Sequence, residues 1–281
     1  MTETTPAAPT DPADAATSMN LAVVGLGEVG RIYGAALVER GHRVTAFDPF
    51  PGEVPQGVEL AASLEDAVRD ADIVLTLTAA SAGRAVAGAA ATAMRDDAVY
   101  ADFTSAGPGD KRGLVELFGS RDVRLLDVAI LGPVIQLGVS TPLMVAGEGG
   151  EVVAQLMRSV GAPVEVVSTE IGDAMAHKLL RSVFMKGLAS VVVEAVSAGE
   201  AAGREVWVRE QIARMIAGDG QAVIDRFLTG TRKHAARRSV EMRSTGAYLR
   251  ELGVPSEMTD ASASAMERIL AADTAGGGSA T

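Results

Sequence analysis

Gly25, Gly27 and Gly30 fall in the spacing G-x-G-x-x-G inside the segment NLAVVGLGEVG, residues 20–30, directly after an apolar run. The spacing alone recurs by chance in unrelated chains; its setting constrains this one much further. Residues 21–24 read as a buried parallel strand, 31–40 as a helix and 44–47 as the next strand. In such a unit the first glycine permits a tight turn, the second lets the backbone approach a pyrophosphate, and the third lets helix and strand pack closely. The helix N-terminus presents unpaired N–H groups to the phosphates. Asp48 stands eighteen residues after Gly30, at the end of the second apolar run. A carboxylate there accepts hydrogen bonds from both hydroxyls of an adenosine ribose and repels a 2′-phosphate. The expected cofactor is therefore NAD, with NADP not excluded. Its contacts are expected from Gly25, Leu26, Gly27, Glu28, Val29, Gly30 and Asp48.

With 281 residues the chain is long for one core and sufficient for two domains, and 48% hydrophobic residues argue for a well-buried globule. The formal net charge of −11 disfavours nucleic acid and anionic membranes as partners, while a local basic pocket can still hold a small anion. The absence of cysteine excludes disulfides, thiolate catalysis and cysteine metal sites. Only His42, His177 and His234 offer imidazoles, with no paired spacing, so no metal site is expected. Residues 1–18, rich in Thr, Pro, Ala and Asp, read as a disordered tail rather than a secretion signal, and residues 273–281 as a flexible one. No apolar stretch has the length of a membrane span, and a cytoplasmic location is expected.

The chain has two textures. From residue 20 to about 167, β-branched runs at 21–24, 44–47, 73–78, 99–102, 125–129, 143–146 and 164–167 alternate with helical stretches. This α/β pattern predicts a Rossmann-type parallel, doubly wound sheet over residues 19–168. Between Pro163 and Pro255 there is no proline, and periodic segments separated by glycines predict an all-helical substrate or dimerisation domain over 169–272. Its first helix, residues 171–202, would run about 45 Å at 1.5 Å per residue. Gly187, Ala189, Ser190, Ala195, Ser197, Ala198 and Gly199 crowd the later part of that helix. They read either as a close-packing interface, and hence a homodimer, or as general alanine-rich composition.

Ligands of open α/β sheets lie at the carboxyl ends of the strands. There, the turn DFTSAGP at 102–108 carries Thr104 and Ser105, able to contact a nicotinamide ribose or carboxamide, or simply to cap a helix. Residues 78–83, beginning with Thr78, form a small-residue loop suited to lie against a cofactor, and Gly132-Pro133 make a turn where substrate would meet the nicotinamide. On the long helix, Lys178, Ser182 and Lys186 recur every four residues, with Arg181 at the shoulder and Leu179, Leu180, Val183, Phe184 and Met185 around them. The apolar neighbours predict that part of this stripe is buried. Burial and nearby cations would make a lysine able to accept a proton near neutral pH; the other reading is a solvated basic face. A second cationic group, Arg232, Lys233, His234, Arg237, Arg238 and Arg243 with Glu241 among them, reads equally as an anion clamp or as salt bridges along an exposed face.

These pieces together resemble the β-hydroxyacid dehydrogenase superfamily, which includes 3-hydroxyisobutyrate and 6-phosphogluconate dehydrogenases. The resemblance covers about residues 20–270 and is carried by GLGEVG at 25–30, DFTSAGP at 102–108, DVAILGP at 127–133 and GDAMAHKLLRS at 172–182. The segments KLLRSVFMKG and HAARRSVEMRSTGAYLRELGV look like the subgroup with a DUF1932-type C-terminal domain. The resemblance implies that Lys178 is the catalytic lysine, that Asp48 holds the adenosine ribose, that Thr104 and Ser105 lie near the nicotinamide, and that Gly132 lies in the substrate turn. Leu131, Gly132 and Pro133 replace the family's serine and two glycines, and Ser182, preceded by Arg181, replaces its asparagine. Met185 stands where phosphogluconate dehydrogenases place the glutamate used in decarboxylation, so a decarboxylating reaction is not expected.

The expectation is an NAD-dependent dehydrogenase or reductase of a small polar hydroxy acid or sugar acid. Lys178 would act as general acid/base, and Arg181, Lys186, Arg237 and Arg238 are candidates for holding the anion. The rivals are an imine reductase-like NADPH-dependent reductase, which Lys178 argues against, and a catalytically silent dinucleotide-binding regulator.

Overall fold

A computed structural model describes residues 18–119 and 121–276. Of the two tails expected from the sequence, residues 1–17 and 277–281 lie outside the described residues. The chain divides into two compact units between Leu180 and Arg181.

The first unit follows the order β1 (Asn20–Val24), α1 (Glu28–Glu39), β2 (Arg43–Phe47), β3 (Val58–Leu60), α2 (Leu64–Val68), β4 (Ile73–Thr76), α3 (Ala80–Ala93) and β5 (Val99–Asp102). It continues through α4 (Pro108–Arg112), α5 (Val115–Phe118), β6 (Arg124–Ile130), α6 (Val134–Leu137), a 3-10 turn, β7 (Leu143–Ala146), α7 (Glu151–Ser159) and β8 (Val164–Ser168). The strands form one sheet in the order β3-β2-β1-β4-β5-β6-β7-β8. The order reverses at β1, where the crevice between β1 and β4 opens at the strands' carboxyl ends.

The central strands β1, β4 and β5 are covered on both faces and buried almost throughout. Leu21, Val23, Ile73, Leu75, Leu126 and Val128 point to one face and pack with Tyr33 and Leu37 of α1 and Met157 of α7. Ala22, Val24, Val74 and Tyr100 point to the other and pack with Val68, Ala87, Ala90 and Phe118. The alternation is the two-residue period of a strand. Truncating a fully buried member such as Leu75 to alanine would cost about 2–5 kcal/mol.

Two details depart from the sequence reading. The three-residue β3 is an added edge strand in which only Val58 is buried, too short to leave a periodic signal. The sheet is also not wholly parallel, because β7 runs antiparallel to β6. Between those strands the chain makes only the one-turn α6 and the 3-10 turn. Without a crossover helix to carry it to the far end, the chain re-enters the sheet from the end where it left.

The second unit is helical: the rest of α8 (Asp173–Ala201), then α9 (Glu205–Ile216), α10 (Gly220–Glu251) and α11 (Glu257–Gly276). Gly203, Gly218 and Gly253 mark the breaks. Helix α11 continues past the boundary read at residue 272, carried by the strong helix formers Ala271 and Ala272. Helix α10 is kinked at His234, whose φ of −121° and ψ of 18° leave the helical region. The first turn of α11 is capped from α8. Glu194 Oε2 accepts the Met258 N–H at 2.8 Å, and Oε1 accepts the Thr259 N–H at 2.8 Å and its hydroxyl at 2.6 Å. An anion there also complements the helix dipole. Among the described residues, no helix is long and apolar enough to cross a membrane.

Candidate functional site

The turn after β1 is built as the glycine spacing requires. Gly25 has φ +100°, and a Cβ there would lie 2.8 Å from the Leu77 carbonyl oxygen and 3.2 Å from the Thr78 methyl. At Gly30 a Cβ would lie 1.9 Å from the Gly25 carbonyl oxygen, so α1 touches the turn backbone to backbone. Around Gly27 a Cβ would meet nothing within 4 Å. Gly27 is also the N-cap of α1, and no side chain caps the helix. The first-turn N–H groups thus have neither an intrahelical acceptor nor a side-chain cap, and they follow a residue without a side chain.

Asp48 closes the other side of this turn. Its Oδ2 accepts the Leu26 N–H at 2.8 Å and its Oδ1 accepts the Phe50 N–H at 2.9 Å. Two backbone donors thus fix the half-buried carboxylate, and each oxygen keeps a second lone pair. An uncapped helix N-terminus, an open glycine and a fixed carboxylate suit the phosphates and ribose of a dinucleotide.

Further along the same strand ends, Thr78 is half-buried against Gly25, while Gly83 of α3 faces the Thr104 side chain. Thr104 is buried and Ser105 exposed. The N-cap of α4 is Gly107, with no side-chain cap, so these hydroxyls are not an ordinary helix start. The Thr104 N–H donates to Asp102 Oδ1 at 2.9 Å, which shapes the turn from below. After β6, Gly132 is half-buried against Leu137 and Thr141, and Pro133 is exposed at the N-cap of α6.

Beneath these turns lies a charged group that sequence reasoning missed. Lys111 of α4 is fully buried, with its ammonium 2.7 Å from Asp127 Oδ1 and 3.6 Å from Asp102 Oδ2, and it donates to the Asp102 carbonyl at 2.8 Å. In the sequence, GPGDKR looks like a solvated turn. The available signal was the pair Asp102 and Asp127, carboxylates within two apolar strands and demanding a cation.

Helix α8 begins over this group: the Met175 N–H donates to Asp127 Oδ2 at 2.9 Å. One turn on, Lys178 is half-buried, as is Ser182, while Arg181 and Lys186 are exposed. Part of the stripe is thus half-buried, but the apolar residues expected to cover it do not. Leu180, Val183 and Phe184 are 71%, 75% and 64% exposed, and Leu179 and Met185 are exposed as well. Amphipathic spacing reports an apolar face, not what covers it.

In the second unit the expected anion clamp is partly spent on internal pairs. Arg237 makes an exposed i,i+4 salt bridge to Glu241 at 2.7 Å, and Arg238 donates to the Thr231 hydroxyl at 3.0 Å. Arg243 reaches Glu267 at 2.8 Å. The structure thus brings Gly25, Gly27, Gly30, Asp48, Thr78, Thr104, Gly132 and Lys178 together within one unit, while Arg181, Ser182, Lys186, Arg237 and Arg238 belong to the other.

Residues 20–172 match the NAD binding domain of 6-phosphogluconate dehydrogenase, and residues 200–269 match DUF1932, a domain of unknown function. A probable 3-hydroxyisobutyrate dehydrogenase of Mycobacterium bovis is 31% identical over 150 residues, 51% of this chain and 50% of that protein. The chain spans about half the length of the curated relatives it matches. The structure of a conserved protein of unknown function, reported as similar to 3-hydroxyacid dehydrogenases, aligns with a TM-score of 0.61 and 25% identity over 90% of this chain and 98% of that one. An imine reductase variant from Myxococcus stipitatus in complex with NAD+ shares the fold, with a TM-score of 0.76 and 16% identity over 91% of this chain and 95% of that one. With its glycine turn, its eight-stranded sheet and its helical C-terminal region, the chain belongs to the β-hydroxyacid dehydrogenase superfamily, as a member with an N-terminal NAD(P)-binding domain of the 6-phosphogluconate dehydrogenase type and a DUF1932 region.

Proposed function

We propose that the protein is an NAD-dependent oxidoreductase that interconverts the alcohol and carbonyl of a small polar hydroxy acid or sugar acid, with Lys178 as general acid/base. The observation that supports it best is the open, uncapped start of α1 beside the fixed Asp48 carboxylate, in the same sheet to which the Met175 N–H, through Asp127 of β6, ties the start of the helix bearing Lys178. The N–H groups of the first turn of α1 hold the pyrophosphate, and Asp48 accepts from the adenosine ribose hydroxyls and repels a 2′-phosphate. Gly25, Leu26, Gly27, Glu28, Val29 and Gly30 line that contact, with Thr78, Thr104 and Ser105 toward the nicotinamide. When bound, NAD supplies the hydride acceptor, and NADH the donor. Lys178 Nζ takes the proton from the substrate hydroxyl in oxidation and returns it to the carbonyl oxygen in reduction.

The candidates for holding the substrate's negative charge are Lys186 and Arg181, and those for its other contacts are Gly132, Pro133 and Ser182. Arg237 would have to leave Glu241, and Arg238 would have to leave Thr231, to contribute. With Met185 where a carboxylic acid would assist decarboxylation, the reaction ends at hydride transfer.

A homodimer belongs to the same proposal. Val206, Trp207, Met215 and Ile216 of α9 and Ile224, Phe227 and Leu228 of α10 are all exposed, apolar side chains that a second copy would take out of water. Light scattering at working concentration should return twice the chain mass; a monomer overturns this part. The chemistry is tested by following NADH absorbance with a panel of hydroxy acids, their oxo forms and cyclic imines, each with NAD(H) and NADP(H). Turnover of hydroxy acids with NAD is the expected result. Turnover confined to imines with NADPH, or tight NADH binding with no turnover at all, contradicts it.

A further inference from the structure

We infer that Lys111 is a positioning residue, whose buried ammonium holds the first turn of α8, and with it Lys178, in place against the turn that carries Thr104. The inference rests on the reading of Lys178 as the acid/base. Asp102 at the end of β5 and Asp127 in the middle of β6 are cross-strand partners in register, with side chains 3% and 0% exposed. Two carboxylates side by side in a sheet repel each other, and at this burial neither is screened by water. The Lys111 ammonium, itself 1% exposed, lies 2.7 Å from Asp127 Oδ1 and 3.6 Å from Asp102 Oδ2.

What each carboxylate does with its other oxygen gives the group its reach. Asp102 Oδ1 accepts the Thr104 N–H at 2.9 Å, and Asp127 Oδ2 accepts the Met175 N–H at 2.9 Å. One cation therefore fixes two separate stretches of chain through two carboxylates. Met175 lies three residues before Lys178, about one helical turn, so an anchored Met175 amide sets the position and azimuth of the Lys178 Cα. Asp127 also complements the dipole at the start of α8. A buried ion group is a weak source of stability compared with apolar side chains of the same volume. Its distinctive property is directional geometry, which a hydride-transfer site needs: a displacement of about 1 Å can cost a hundredfold in rate.

The test compares Lys111→Met, Lys111→Met/Asp127→Asn and Lys178→Met with the unmodified protein, counting binding-competent molecules by NADH titration. The double variant keeps an acceptor for Met175 and leaves no unpaired charge at position 127. For Lys111→Met, kcat should fall roughly 10–100-fold, with NADH affinity and KM changed less than about threefold, and the double variant should recover part of kcat. A kcat per competent molecule within twofold of the unmodified protein means that Lys111 is structural only and overturns the inference. If Lys178→Met keeps its turnover, the acid/base reading itself fails, whatever Lys111 does. Hydrogen exchange on the unmodified protein gives a readout that needs neither activity nor a folded variant. The Met175 and Thr104 amides should be protected like those of β5 and β6. A Met175 amide exchanging like an unpaired first-turn amide overturns the inference.

Discussion

Adding one methyl group at Gly30 should destabilise the first unit far more than adding it at Gly27, three residues earlier in the same turn. At Gly30 the new Cβ would fall 1.9 Å from the Gly25 carbonyl oxygen and 3.0 Å from its carbon, both backbone atoms. Ordinary contact begins near 3.4 Å, so α1 and the turn must separate by about 1.5 Å. That separation opens the seam filled by Val23, Tyr33 and Leu37, all fully buried. Overpacking costs about 1–3 kcal/mol where side chains can adjust; here only backbone can yield, and roughly 3 kcal/mol is expected. For a unit of this size that is a fall in Tm of roughly 6–12 °C. At Gly27 the Cβ meets nothing, and φ −65° with ψ −168° is open to alanine. The cost there is only a poorer N-cap, about 0.5–1 kcal/mol. Its methyl instead occupies the space before the α1 amides, and NADH affinity should drop at least about tenfold, since a single 1.4 kcal/mol loss has that effect. Thermal melts and fluorescence titration of both variants separate the effects. A Gly27→Ala variant that binds NADH normally, or a Gly30→Ala variant with unchanged Tm, refutes the reasoning.

Two further outcomes follow from the packing. Replacing Glu194 with alanine removes three hydrogen bonds to the start of α11 and should destabilise the helical unit by about 2–4 kcal/mol, less than three times the roughly 1.5–3 kcal/mol of a bond to a charged group because Glu194 is only half-buried and water satisfies the freed donors. Urea unfolding followed by circular dichroism reads this, and a loss under about 1 kcal/mol would speak against the cap. His42 is buried, and its imidazole is held below its ordinary 6.5 by desolvation and, to a smaller extent, by Arg40. Its Nδ1 accepts the Met19 N–H at 3.3 Å in the neutral form. The unfolded chain takes up this proton first, so the contribution is complete above pH 6.5 and is lost as the pH falls below it through the folded value. His42→Asn should flatten the pH dependence of stability just below pH 6.5; an unaltered slope contradicts the assignment.

The cofactor turn was legible because its determinants are local. Gly25, Gly27, Gly30 and Asp48 lie within one βαβ unit, and the backbone constraints on the glycines act over a few residues. Strands β5 and β7 are legible to the residue, since short apolar runs bounded by turn residues carry their own limits. What escaped depends on partners distant in sequence. Lys111 looks solvated until β5 and β6 pair and present two carboxylates to it. The direction of β7 depends on what the chain does between two strands rather than on either strand. The pairing of Arg237 with Glu241 was foreseen as one of two readings, and only the rotamers chose between them. The polar stripe of Lys178, Ser182 and Lys186 is legible, but the exposure of its apolar neighbours is not, because periodicity reports a face and not its cover.

In the proposed reaction the dinucleotide site and Lys178 act in one hydride transfer. The most direct measurement is a single-turnover experiment on Lys178→Met beside the unmodified protein, with NADH affinity measured on the same samples and a substrate that the panel has identified. The account predicts NADH affinity within about threefold and a rate of hydride transfer lower by roughly 10²–10⁴, the usual contribution of a positioned acid/base. A Lys178→Met variant that transfers hydride at the unmodified rate would contradict it.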